Sequence, residues 1–227
     1  MAYVFPPAAQ PSVAVNGSDK RFPVRRIFCV GQNYAAHVLE MGGDISKPPV
    51  FFSKPGDAVV KNGSSIPYPL STSDLHYEAE LVVAIGKAGV NIAEADAASH
   101  IWGYGVGIDL TRRDLQYAAR EIGMPWDMAK GFDRSAPCGD LHAVADTGIL
   151  DAGHIRLSVN GEVRQQSDIS DMIWSVPAII SKLSDFQALA AGDLIYTGTP
   201  SGVGQIVAGD RIDVEIQGLS RLSVTIT

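Results

Sequence analysis

Basic residues are in short supply in this chain: 18 Lys and Arg stand against 25 Asp and Glu, a formal net charge of -7 at pH 7. That balance argues against nucleic acid or an anionic membrane surface as a partner. Cysteine is scarcer still. Cys29 and Cys138 are the only two. They lie far apart with no Cys-x-x-Cys partner, which excludes a zinc–cysteine cluster or a disulfide scaffold and fits a reducing compartment. No uncharged apolar run reaches the ~18 residues of a membrane span. The opening Met-Ala-Tyr-Val-Phe-Pro-Pro has neither a basic segment nor a continuous apolar stretch, so no secretory signal is expected.

Several catalytic signatures are also missing. There is no His-Glu-x-x-His for a zinc protease and no Gly-x-Ser-x-Gly for a serine nucleophile. The glycine-rich run Thr197 to Gly204 lacks a Walker lysine, and no helix opens inside Gly103-Tyr-Gly-Val-Gly107, so neither reads as a nucleotide-binding loop. What remains is a cytoplasmic, acidic globular protein. With 227 residues, 46% of them hydrophobic and 19% charged, the chain is one large domain or a domain with a small appendage. A chain of this size buries about 70% of its unfolded surface and needs no staple.

The first 25 residues hold four of the 13 prolines and little periodicity, and read as an arm (1–25) ahead of a catalytic domain (26–227). Strand patterns are expected at 26–30, 50–54, 78–85, 104–110, 193–197, 211–216 and 219–226. Asn160-Gly161 between two alternating runs predicts a two-residue type I′ hairpin. Helices are expected from a cap at Asn33 to Met41, from a capping box at Thr111 to Asp114 onward to Ile122, and over 175–189. Strands outnumber helices, so the expected class is mixed α+β built mainly on antiparallel sheet.

Glu78 and Glu80 are two apart on an expected strand and therefore share a face. They either share a hard cation or form a solvated strand face. Asp109 ends a strand that is otherwise apolar and glycine-rich, and a carboxylate there wants a partner. Three carboxylates without His or Cys suit Mg²⁺, Mn²⁺ or Ca²⁺ better than zinc. His37 and Glu40, three apart on a short helix, are either a general base with its orienting carboxylate or a surface contact. Lys130 and Arg113 by themselves read as ordinary surface cations. Thr199 and the backbone N–H groups around it either form a plain loop or offer donors to a substrate carboxylate.

Five segments in order resemble the fumarylacetoacetate hydrolase family in its small single-domain branch. They are Cys29-Val-Gly-Gln-Asn-Tyr-Ala-Ala-His37 with Glu40, Leu75-His-Tyr-Glu-Ala-Glu-Leu81, Gly107-Ile-Asp-Leu-Thr-Arg-Arg-Asp-Leu-Gln116, Pro125-Trp-Asp-Met-Ala-Lys-Gly-Phe-Asp133 and Thr197-Gly-Thr-Pro-Ser-Gly-Val-Gly204. The resemblance implies the family's mixed β-roll, or β-sandwich, with a few short helices, assembled as a homodimer. It implies that Glu78, Glu80 and Asp109 hold Mg²⁺ (Mn²⁺ or Ca²⁺ in its place) and that His37 and Glu40 activate water. Arg113, Gln116, Lys130 and Thr199 would hold the keto-acid end of a small-molecule substrate, with Lys130 also aiding catalysis. The implied reaction is hydrolysis of a 2,4-diketo acid, foremost fumarylpyruvate to fumarate and pyruvate in gentisate-type aromatic degradation. Acylpyruvate hydrolysis, oxaloacetate decarboxylation and isomerisation or decarboxylation of hydroxydienoic diacids use similar sites. An idle keto-acid-binding protein is the reading outside enzymes. For the far carboxylate of the substrate, the sequence suggests nothing better than Arg134 or Lys54.

Overall fold

The computed structural model describes residues 2–227. Its centre is an eight-stranded sheet in the order Val50–Lys54, Arg26–Gly31, Asp193–Tyr196, Ala79–Ile85, Ile101–Ile108, Ala136–Cys138 and Val59–Lys61, with His142–Ala143 added beside Ile101–Ile108. A five-stranded sheet (Glu162–Asp168, His154–Val159, Arg211–Ile216, Leu222–Ile226, Ser65–Ile66) packs against it. A separate three-stranded sheet comprises Thr111–Arg112, Leu75–Tyr77 and Gly204–Ile206. Most pairings are antiparallel, and helices are few and short, as the mixed α+β reading anticipates. Among the described residues, no helix is long and apolar enough to cross a membrane.

Ala79–Ile85 is buried along its whole length because both its faces meet core. Leu81, Val83 and Ile85 point into the larger cluster, whereas Val82 and Ala84 join Ile27, Cys29, Leu194 and Tyr196 in a second one. Its neighbour Ile101–Ile108 uses the same alternation differently. Tyr104, Val106 and Ile108 fill the larger core, and the opposite face carries Gly103, Gly105 and Gly107. A Cβ on Gly107 would stand 2.6 Å from the Tyr196 ring, so glycine here lets the second cluster close. The Gly-x-Gly-x-Gly run is thus a packing device.

Several local expectations are corrected by tertiary structure. Residues 12–23, read as arm, form the hairpin Ser12–Ala14 with Arg21–Pro23. Its Val13 and Phe22 are buried in the second cluster with Val24, where Trp102 packs on Phe22. Asn33 does not cap the helix Ala35–Glu40. Its amide instead donates to the Trp174 and Thr197 carbonyls and accepts from the Trp174 N–H, stapling two loops. Thr111 does not open a capping box, because it lies in a strand before the helix Arg113–Glu121. The Asn160-Gly161 hairpin is as expected, with both residues at positive φ (52° and 85°).

Candidate metal centre and cleft

The three acidic residues meet because two chain passes change sheets together. Glu78 falls between Leu75–Tyr77 of the small sheet and Ala79–Ile85 of the large one. Asp109 falls between Ile101–Ile108 and Thr111–Arg112. The two passes are paired throughout, Thr111 with His76 and Glu80 with Gly107, and the Asp109 N–H donates to the Glu78 carbonyl at the crossing. One ligand oxygen from each of Glu78, Glu80 and Asp109 lies within 4.8 Å of the others. All three residues are buried, so the solvated strand face is ruled out.

Burial of three carboxylates needs compensation. Arg113 Nη2 donates to Glu78 Oε1 at 2.5 Å, and Lys130 Nζ donates to Glu78 Oε2 and Asp109 Oδ2 at 2.8 Å each. Arg113 and Lys130, which read from sequence as surface cations, are 1% and 2% exposed. Burial alone would raise the Glu78 carboxyl, but Lys130 and Arg113 overcome it and hold the group well below the usual carboxylate range. Glu80 has no such cation. It accepts the Gly198 N–H at 2.8 Å, and burial, then the charges of Asp109 and Glu78, push it well above the usual range.

Asp109 Oδ1 makes no hydrogen bond, although Lys54 Nζ stands 2.7 Å away as an ion partner. Three buried carboxylates converging on one point, of which Glu80 has no cation in contact among the described residues, fit a hard divalent cation bound through oxygen. Counted formally, three carboxylates balance Lys54, Arg113 and Lys130. A divalent ion would leave the centre positive, as an anionic substrate requires. Cys29 lies nearby, but burial and then the Asp109 charge push its thiol well up, so it is no nucleophile.

The centre opens on a cleft lined by His37, Glu78, Arg113, Gln116 and Lys130, with Phe52 and Trp126 as aromatic walls. His37 Nδ1 is 3.1 Å from Glu40 Oε2. That bond places the proton on Nδ1 and leaves Nε2 as the base. Gln116 accepts from Arg113 and so orients it. Thr199, expected at the substrate, does not line the cleft: it is buried, with its hydroxyl accepting from Gln165 Nε2 at 2.8 Å.

Sequence reasoning missed other residues. Lys54 is buried beside Asp109 and donates to the Leu110 and Lys130 carbonyls, so it is part of the centre and not free for a distal carboxylate. Arg134 donates to the Ser65 carbonyl and does not line the cleft, which removes the other candidate. Gln32, Met41, Tyr117 and Arg120 do line it, and Gln32 holds a left-handed backbone at φ 65°. The spacing of Arg113, Gln116 and Arg120 on one helix was the available signal.

The family model for the C-terminal part of fumarylacetoacetate (FAA) hydrolase matches residues 26–227. The chain belongs to the fumarylacetoacetate hydrolase family. It is 43% identical over 176 residues to a fumarylpyruvate hydrolase of Ralstonia sp, covering 78% of this chain and 91% of that protein. It is 41% identical over 200 residues to the oxaloacetate tautomerase YcgM of Escherichia coli, covering 88% and 91%. Among solved structures, the fumarylpyruvate hydrolase of Pseudomonas aeruginosa in complex with Mn²⁺ and pyruvate superposes with a TM-score of 0.98. It is 50% identical and covers 100% of this chain and 99% of that one. The family fold and the Mn²⁺ named for that structure agree with the architecture and the acidic centre described above.

Proposed function

We propose that this protein hydrolyses the C3–C4 bond of a 2,4-diketo acid, taking fumarylpyruvate and water to fumarate and pyruvate, with Mg²⁺ as its cation. The observation that carries this reading is the His37–Glu40 pair on a cleft that also reaches the acidic centre. Glu78, Glu80 and Asp109 would hold a divalent ion, which would supply Lewis acidity to the developing enolate.

The protein's own groups do the rest. Arg113, oriented by Gln116, meets the keto-acid carboxylate. Glu40 holds His37 in the tautomer with a free Nε2, which takes a proton from the attacking water. Attack at C4 followed by C3–C4 cleavage releases pyruvate as its enolate, and the proton on His37 is available to C3. Lys130 adds fixed positive charge beside the leaving enolate.

Oxaloacetate tautomerisation, named for the Escherichia coli relative, is the second reading. It moves a proton at C3 and consumes no water. The assay is loss of fumarylpyruvate absorbance with Mg²⁺ and again with excess EDTA, alongside acetylpyruvate and oxaloacetate. Equal amounts of fumarate and pyruvate, formed only with metal, are expected. Action on oxaloacetate alone would overturn the hydrolase reading. The proposed setting is a cytoplasmic homodimer in gentisate-type aromatic degradation, and sedimentation of the purified protein tests the dimer.

A further inference from the structure

Fumarylpyruvate carries a carboxylate at each end, and the groups assigned above meet only one. Two openings diverge from Phe52, Trp126 and Lys130, which line both. The first continues past Val50, Phe51, Met124 and Pro125 to Asp127. It is apolar apart from Ser53, and its one additional charge is negative, so a second carboxylate would be repelled there. Lys130 offers that opening nothing further, because its three N–H donors go to Glu78, Asp109 and Thr111. The second opening continues past His37, Met41 and Tyr117 to Arg120.

Arg120 differs from every other cation at the centre. Lys54, Arg113 and Lys130 are buried against the acidic residues, whereas Arg120 is exposed and has no carboxylate partner among the described residues. Its one side-chain hydrogen bond runs from Nη1 to the Met41 carbonyl at 3.2 Å. Nε and Nη2 have no acceptor among the described residues. On the helix Arg113–Glu121, Arg120 follows Gln116 by four residues and Arg113 by seven, so all three share the cleft face.

A rise of about 1.5 Å per residue sets the Arg113 and Arg120 α-carbons about 10 Å apart. An extended seven-carbon diacid, with six bonds of about 1.5 Å, separates its carboxylate carbons by about 7–8 Å. The difference is within reach of a flexible arginine side chain.

We propose that Arg120 binds the distal carboxylate of a dianionic diketo acid and selects dicarboxylates over substrates with apolar acyl ends. The inference rests on the hydrolase reading above. The Phe52 and Trp126 walls flank the acyl chain between the two carboxylates, and the Asp127 side is left to neutral acyl groups. A guanidinium suits the role because its fork meets a carboxylate with two parallel bonds. Arg120 also ties down the end of the helix that carries His37, through Met41. A purely mechanical role of that kind would affect all substrates alike.

The test compares kcat/KM for fumarylpyruvate and acetylpyruvate in the Mg²⁺-loaded native protein, Arg120→Gln and Arg120→Lys. The ratio between the two substrates is expected to fall about tenfold in Arg120→Gln, mainly through KM for fumarylpyruvate, and to recover in part in Arg120→Lys. A ratio unchanged from the native value, whether or not both activities drop, overturns the role of Arg120 and leaves the hydrolase reading intact. Native protein that hydrolyses neither diketo acid overturns the hydrolase reading, and this inference with it.

Discussion

The Gly202 N–H donates to Glu40 Oε1 at 2.9 Å while the other oxygen of the same carboxylate holds His37 Nδ1. The loop that supplies this donor also supplies the Gly198 N–H to Glu80. One glycine-rich segment therefore braces both halves of the centre, the base pair on one side and the acidic cluster on the other. Its glycines are required by geometry. Gly198 and Gly202 have φ of 99° and 96°, and a Cβ on Gly202 would sit 2.1 Å from the Arg164 carbonyl oxygen.

Gly202→Ala should move the loop and withdraw the Glu40 donor. Strain of about 1–3 kcal/mol is expected, read as a lower unfolding midpoint. The kcat for diketo-acid hydrolysis should fall, while Mg²⁺ affinity, measured by calorimetry, stays within a few-fold. An unchanged kcat would show that Glu40 needs no brace.

His37→Ala removes the base itself and should lower kcat by ~10²–10⁴-fold. Glu40→Gln should do less, since the imidazole remains but loses the carboxylate that fixes its tautomer and orientation. Single-turnover rates would reveal a chemical step that had not slowed, and such a result would rule out His37 as the base.

Glu80→Gln separates the cost of the buried charge from its use. In the metal-free protein the Glu80 carboxyl titrates above its unfolded value, because of burial and then Asp109 and Glu78. A raised folded pKa gives stability that is present below the ordinary glutamate pKa of about 4.3 and lost as pH rises through the folded value. At neutral pH the amide variant without metal should thus melt higher than the native protein. It should also lose the stabilisation from saturating Mg²⁺, which for a native site at 100 times Kd amounts to about 2.7 kcal/mol. Thermal melts with EDTA and with Mg²⁺ give both readings, and a lower EDTA melting point for the variant would contradict the charge argument.

His142 predicts a second, independent pH dependence. Its Nε2 accepts the Ser220 N–H at 3.0 Å, which needs the neutral ring. Burial lowers its pKa against the opposing pull of Asp140 and Asp146. The stability it contributes is present above about pH 6.5, the unfolded histidine value, and is lost as pH falls through the depressed folded one. The drop in unfolding midpoint from pH 7 to pH 5 should be smaller in His142→Gln, whose amide oxygen can replace the acceptor but does not titrate. An equal drop in both proteins would assign the acid sensitivity elsewhere.

Local signals accounted for much of the framework. The Asn160-Gly161 turn, the strand Val50–Lys54 and the helix after Ser175 could be read directly, because turn chemistry, β-favouring side chains and a first-turn proline act over a few residues. The same reasoning failed at Asn33 and Thr111. Both are good cap residues by type, but long-range partners took their side chains, Trp174 and Thr197 for the first and Lys130 for the second. The hairpin at 12–23 was hidden because its strands are only three residues long and gain their burial from residues far along the chain.

By itself, the sequence determined the residue types of the site, the acidic triad at 78, 80 and 109 and the His37–Glu40 spacing, along with the family they resemble. Whether those carboxylates faced solvent or one another was decided only by strand register, which carries Glu78 and Asp109 from one sheet to the next at the same level. Tertiary structure likewise turned Lys54, Arg113 and Lys130 from ordinary cations into buried counter-charges and left Arg120 lining the cleft with no carboxylate partner among the described residues. The physical reason is that a side chain's charge and shape belong to the residue, whereas its desolvation and its partners depend on segments distant in the chain.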